Sequence, residues 1–309
     1  MDDLSNTIYA YYLSHFDELA FDKQFHFASR LYLWDRDESA RTKLDHLRDE
    51  FTASGDPTAA LQAVYNAAQQ SPIHGSKNAA ELRRPHFEKY PKLKTYVTLL
   101  FRLNFLQTIY GLDARQAFHQ LCPQAELEAY VEQLLQDDDA LAILSTHAVN
   151  FLYLYQRVVL GQETDGLAQR FLEVGQQKYD LSNTIHLQLF IYLYTHYVIG
   201  ETQFYYRRIT KTGVYLEMMQ QLEALIDTNF ERINMDNKFE FLACSRLVGR
   251  ESFLTERIWD EAKHSVSPDG SFIIDRHNQN PQQGNVDLNG SEHRNVLLLL
   301  ANRPFKPLA

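Results

Sequence analysis

The sequence predicts an all-α protein: helical-hairpin repeats in a single domain over residues 1–309, closed as an α/α toroid or left as a curved solenoid, with a short β-like excursion near residue 270. Three observations predict it. The phrase FLYLYQRVVLG, from Phe151 to Gly161, returns as FIYLYTHYVIG, from Phe190 to Gly200, 39 residues later. Only 12 Gly and 9 Pro interrupt the 309 residues, which suits long helices better than many short strands. The chain also carries 18 Tyr and 19 Phe beside 2 Trp, a richness that fits tightly packed helices or a groove with polar edges.

Taken in order, DKQFHFASRLYLW and DPTAALQAVYNAAQQ read as helices of the N-terminal part. Ser71 to Pro91 is the longest irregular stretch, and its basic end, RRPHFEKYPKLK, reads as a solvated connection or as a contact for an anionic ligand. FRLNFLQTIYG (Phe101 to Gly111), the two related phrases and FEFLACSRLVG (Phe239 to Gly249) are then four buried helices, each ending at a Gly suited to a left-handed turn. Their leading Phe residues are 50, 39 and 49 apart, room for a second helix and two connections per unit.

The second helices follow Gly111, Gly161, Gly200 and Gly249, and are more charged, with one apolar face. LSNTI occurs at Leu4 and at Leu181, each time with Ser and Asn placed to cap a following helix. Near the end, Pro268-Asp269-Gly270-Ser271 reads as a turn beside a short strand, and Ser291 as the cap of a last helix through Val296 to Ala301.

Forty acidic against 30 basic side chains give a net charge of −10, which argues against general nucleic-acid binding. Cys122 and Cys244 belong to no CxxC pair, so neither a disulfide framework nor a zinc site is expected. His119 and Cys122 in HQLC have no second pair of ligands, and no metal is expected. Phosphate-cradling glycine motifs and the GxSxG elbow are missing, and no cofactor is expected. MDDLSNTIYAYY has no basic region ahead of an apolar core, and no apolar run reaches the ~18 residues needed to span a bilayer. The expectation is a cytoplasmic protein without membrane contact.

Asp269-Gly270-Ser271-Phe272 resembles the Asp-Gly-Ser/Thr-aromatic element at helix junctions of α/α-toroid proteins, among them polysaccharide lyases, terpene cyclases and protein prenyltransferases. The resemblance covers these four residues and the hairpin pattern, and implies the fold. The chain lacks the DxDD motif of the cyclases and the zinc ligands of the prenyltransferases and lanthionine cyclases. Toroidal lyases with such a turn use Asn, His, Tyr and Arg for proton abstraction. The resemblance assigns those roles to no position here.

The candidate catalytic residues are His196, His277 and His293; the candidate ligand-binding residues are His147, His186, Tyr192, Asp275, Arg276 and Glu292. His196 has Tyr192 one turn before it and Glu201 shortly after, a trio able to do acid–base work. DRHNQN and SEHRN place Asp275, Arg276, His277, Glu292, His293 and Arg294 in one segment, which converges if the loop between them folds back. His147 and His186 each precede a Phe by one helical turn; they mark a shared end of neighbouring helices or bond to loop backbone. His26 stands apart from these groups. Tyr153, Tyr155, Tyr192 and Tyr194 either line an aromatic cleft for sugar rings or pack between helices. Two functions remain open: a cleft for a small polar ligand such as a saccharide, with His/Tyr acid–base chemistry, or a non-catalytic scaffold holding a peptide or partner protein.

Overall fold

A computed structural model describes residues 3–51, 57–69, 77–164, 166–274 and 287–308. Among these it contains sixteen α-helices and no strand longer than an isolated antiparallel bridge between Val266 and Ile273. The chain is therefore all-α. The first eight helices are α1 (Asp3–Ser14), α2 (Phe21–Asp35), α3 (Glu38–Phe51), α4 (Pro57–Gln69), α5 (Lys77–Lys89), α6 (Leu93–Tyr110), α7 (Arg115–Leu121) and α8 (Gln124–Leu135). The remainder are α9 (Asp138–Leu144), α10 (Thr146–Leu154), α11 (Leu167–Lys178), α12 (Thr184–Glu201), α13 (Gly213–Thr228), α14 (Met235–Leu247), α15 (Thr255–Lys263) and α16 (Leu288–Asn302). They fall into two compact units, residues 48–203 and residues 1–47 with 204–309.

In the unit 48–203, α10 packs on both α6 and α12, so three of the Phe–Gly helices stand side by side. The residue pattern explains the placement. α12 buries Leu187, Leu189, Phe190, Ile191, Tyr194, Tyr197 and Val198, which leaves only a half-buried strip at Gln188, Tyr192 and His196, whereas α11 buries one stripe containing Leu167, Phe171, Leu172 and Val174. α11 packs on α12 and α9.

The glycines that close these helices do not all act alike. Gly111, Gly161 and Gly249 have φ of 66°, 64° and 73°, the left-handed turn anticipated for them. Gly200 instead lies inside α12, where a Cβ would come within 2.7 Å of the Tyr153 ring. α10 also continues as a π-helical turn over Tyr155–Leu160, which breaks the four-residue stepping of His147, Phe151, Tyr155 and Val159 after Tyr155.

Other expectations are corrected locally. The stretch read as irregular before Pro91 contains α5, with Pro85 inside it. Asn183 caps α12 by accepting the Ile185 amide at 2.9 Å, but Ser5 and Asn6 lie within α1. Ser291 lies inside α16, and Asp287 caps that helix through the Gly290 amide at 2.7 Å. The segment after Gly111 divides at Cys122-Pro123 into α7 and α8, since Pro123 has no amide hydrogen to continue the ladder.

In the second unit, α16 packs on α14, α2 and α1, while α13 and α15 flank α14. Leu297, Leu298, Leu299 and Leu300 are all buried, so every side of α16 meets protein. Asn295 of α16 acts as a peptide group in side-chain form. It accepts the Ile273 amide at 2.8 Å and donates to the Ile273 carbonyl at 3.0 Å, fixing the bridge segment. Asp269 gathers the Ser267 and Ser271 hydroxyls, each at 2.6 Å, around Gly270 with φ of 79°. After α16 the chain returns to α2: Trp34 donates to the Arg303 carbonyl at 3.0 Å, and the Lys306 amide donates to the Trp34 carbonyl at 2.6 Å.

Gln203, Phe204 and Tyr205 form a run of left-handed, non-glycine residues, with φ of 51°, 55° and 71°. All three are buried, and packing of their side chains offsets a backbone cost of about 1–2 kcal/mol per residue.

Candidate functional site

The polar constellation of the second unit begins on α2. Lys23, His26 and Arg30 follow at i, i+3 and i+7, so they share one stripe, while Phe25, Phe27, Ala28 and Leu31 are buried. α16 lies against this helix and presents Glu292, with no exposed surface. Glu292 Oε1 is 2.7 Å from His26 Nδ1, and Oε2 is 3.6 Å from Lys23 Nζ. The next residue, His293, reaches α14, its Nδ1 3.2 Å from Asp236 Oδ1. Arg294 meets the other Asp236 oxygen at 3.4 Å and donates to Ser291 Oγ at 3.0 Å. The two imidazole rings lie 5.3 Å apart, inclined at 46°.

Two carboxylates therefore hold two histidines by Nδ1, leaving each Nε2 directed away from its anchor. Burial raises the Glu292 carboxyl above its ordinary value, against the pull of Lys23, Arg30 and His293. Burial first, then Arg30, His293 and Lys23, push His26 well below 6.5. His26 is thus neutral at physiological pH; with Glu292 as acceptor, Nδ1 carries its proton and Nε2 keeps a lone pair. Burial also works to raise Asp236, but the His293 hydrogen bond and the Arg294 charge outweigh it and hold this carboxyl at about 2. Such an array can accept a proton at one imidazole and position a second beside it.

Of the residues singled out in the sequence, Glu292 and His293 belong to this array. Asp275, Arg276 and His277 lie outside the described residues. His147, His186, Tyr192 and His196 belong to the unit 48–203. There His196 Nδ1 contacts Asn150 Oδ1 at 2.8 Å, with the Tyr192 ring 6.3 Å from its own. Glu201 engages Arg157 at 2.6 Å and also Thr164, in a group that includes Glu163. His147 meets the edge of Phe87 at 5.2 Å. His186 Nδ1 accepts the Asp180 amide at 3.2 Å, the loop-backbone role. Tyr153, Tyr155 and Tyr194 are buried between helices. Arg83, in the segment read as solvated, lies near Tyr179 and Tyr192, and burial lowers its guanidinium from the ordinary value.

Lys23, His26, Arg30 and Asp236 complete the array, and none was grouped with Glu292 by sequence reading. The available signal was the stripe Lys23–His26–Arg30, three basic groups on a helix otherwise rich in buried Phe and Leu. A separate hollow of about 380 Å³ lies where α14 ends and α15 begins, walled by Arg246, Arg250, Ser252, Phe253 and Glu256. Among the described residues no group of three or more His, Cys, Asp or Glu is placed to hold a metal ion. No helix among them is long and apolar enough to cross a membrane.

Fold and site together define an all-α protein with paired imidazole–carboxylate dyads. No family model matches this chain, and neither a curated protein nor a solved structure does so.

Proposed function

We propose that this protein binds a small polar ligand over His26 and His293 and moves a proton to or from it. The single observation carrying this reading is the pair of rings 5.3 Å apart, each held at Nδ1 by a carboxylate. A hydroxyl group both donates and accepts, so a saccharide or other polyol can bond the Nε2 lone pair of His26 and the neighbouring ring of His293. His26, neutral, accepts the proton; His293, anchored to Asp236, faces the same ligand group. Helical hairpins stacked as in an α/α toroid or solenoid belong to the same reading, with α6, α10 and α12 as inner helices.

A thermal-shift panel of mono- and oligosaccharides tests it, read beside the imidazole C–H signals in NMR. A concentration-dependent rise in Tm with one class, moving the His26 and His293 signals and lost in His26→Gln and His293→Gln, is the expected result. Saccharide binding that leaves both imidazole signals in place overturns it.

A second reading, a scaffold for a protein partner, is favoured by Phe253. This ring is 67% exposed at the edge of the hollow between α14 and α15. Pull-down with Phe253→Ser as the control separates the two readings.

A further inference from the structure

We propose that the group recognised beside the imidazole pair is an anionic oxygen group, a carboxylate or a phosphate, drawn in by Lys23 and Arg30. The inference rests on the reading of His26 and His293 as the ligand site, and it adds the charge of the ligand.

The cations of the array are held unevenly. Asp236 is engaged by Arg294 and by His293. Glu292 faces both Lys23 and Arg30, and the buried Glu240 lies with Arg30 near Tyr205. The hydrogen bonding leaves donors unmet on both Lys23 and Arg30. Lys23 Nζ stands 3.6 Å from Glu292, beyond hydrogen-bond reach, with its side chain 32% exposed. Arg30 Nε is buried without a hydrogen-bond partner, a donor the surrounding protein leaves unmet. Arg30 otherwise bonds the Tyr205 hydroxyl.

Lys23, His26 and Arg30 leave α2 from one face, and the His293 ring closes against His26. Glu292 has no exposed surface, so it backs the site and does not meet the ligand from solvent. His26 is itself held neutral by burial and by these cations, so it contributes a dipole and no second buried charge. A carboxylate or phosphate offers acceptors for an ammonium and a guanidinium together, which neither water nor a neutral hydroxyl does with charge.

The test titrates inorganic phosphate and, separately, acetate into the intact protein by calorimetry and by the NMR signals of the His26 and His293 rings. Glucose serves as the neutral probe. Phosphate or acetate should bind and move both ring signals, and whichever binds more tightly names the anion. Lys23→Met, which keeps the stem of a partly exposed side chain, should weaken that binding about tenfold, the loss of one charge-assisted hydrogen bond. Arg30→Lys, which retains charge, should weaken it less than Arg30→Met. Glucose moving the rings while neither anion binds would overturn the inference and leave the ligand-site reading standing. No movement with any of the three probes would overturn both. Anion binding unchanged in Lys23→Met would place the anion elsewhere and overturn the inference.

Discussion

Gly200 lies under the ring of Tyr153: a Cβ on this glycine would meet Cγ at 2.7 Å and Cδ2 at 2.9 Å. The two residues come from the twin phrases of α10 and α12, so each copy supplies what the other needs. Tyr194 of α12 repeats the device on its other neighbour, its ring over Gly175 of α11, where a Cβ would meet it at 2.5 Å. Two large rings pressed against two small residues bring these helices close enough to interlock.

Gly200→Ala should therefore destabilise the protein by about 1–3 kcal/mol, because the atoms it strikes are the root of the Tyr153 side chain and cannot swing away. Helix propensity alone predicts the opposite sign, a gain of up to about 1 kcal/mol. Gly213→Ala, with nothing within 4 Å of its Cβ, is the matched control and should be neutral or stabilising. Urea unfolding of the three proteins checks the signs.

His26 links stability to pH. Its folded-state value is depressed by burial and by Arg30, His293 and Lys23, whereas an unfolded histidine titrates near 6.5. A depressed group stabilises above its unfolded value, and that contribution is lost as pH falls below it. Between pH 7 and pH 5 the wild type should lose stability with a slope approaching about 1.4 kcal/mol per pH unit from this residue. The slope should be smaller in His26→Gln, measured as urea midpoints in the same buffers.

Lys238 has no exposed side-chain surface; it pairs with Glu261 and lies 3.8 Å from the centre of the Phe230 ring. Breaking such a pair from one side is worse than replacing the charge itself. Glu261→Gln, which leaves the ammonium buried, should cost about 3 kcal/mol. Lys238→Met, similar in volume and uncharged, should cost less than about 1 kcal/mol. Thermal unfolding of both variants gives the comparison.

Arg303 stands between Asp35 at 3.1 Å and Asp37 at 2.8 Å, over the Tyr9 ring. Arg303→Met leaves two carboxylates facing each other, so their folded-state values rise. Raised carboxylates stabilise toward low pH and destabilise as pH climbs through them. The variant should thus lose about 3 kcal/mol at pH 8 and less at pH 4. Trp34, fully buried and bonded to the Arg303 carbonyl, reports the loss by fluorescence.

The sequence by itself determined the helical class and the buried Phe–Gly helices. The all-α class, the burial of the Phe–Gly segments and three of their four glycine terminators follow from apolar spacing and from the cost of a left-handed turn for any residue with a Cβ. These are local properties, fixed within one or two turns of chain. Tertiary structure alone decided what Gly200 does, because its role depends on a ring 47 residues away in sequence. It also decided the left-handed run at Gln203–Tyr205, where no glycine or asparagine announces the turn and packing holds the backbone. The site divides the same way. Glu292 and His293 were legible as neighbours in SEHRN, but their partners are His26, 266 residues away, and Asp236, 57 residues away. A carboxylate finds its histidine through helix packing, and the order of residues along the chain carries no record of which faces meet.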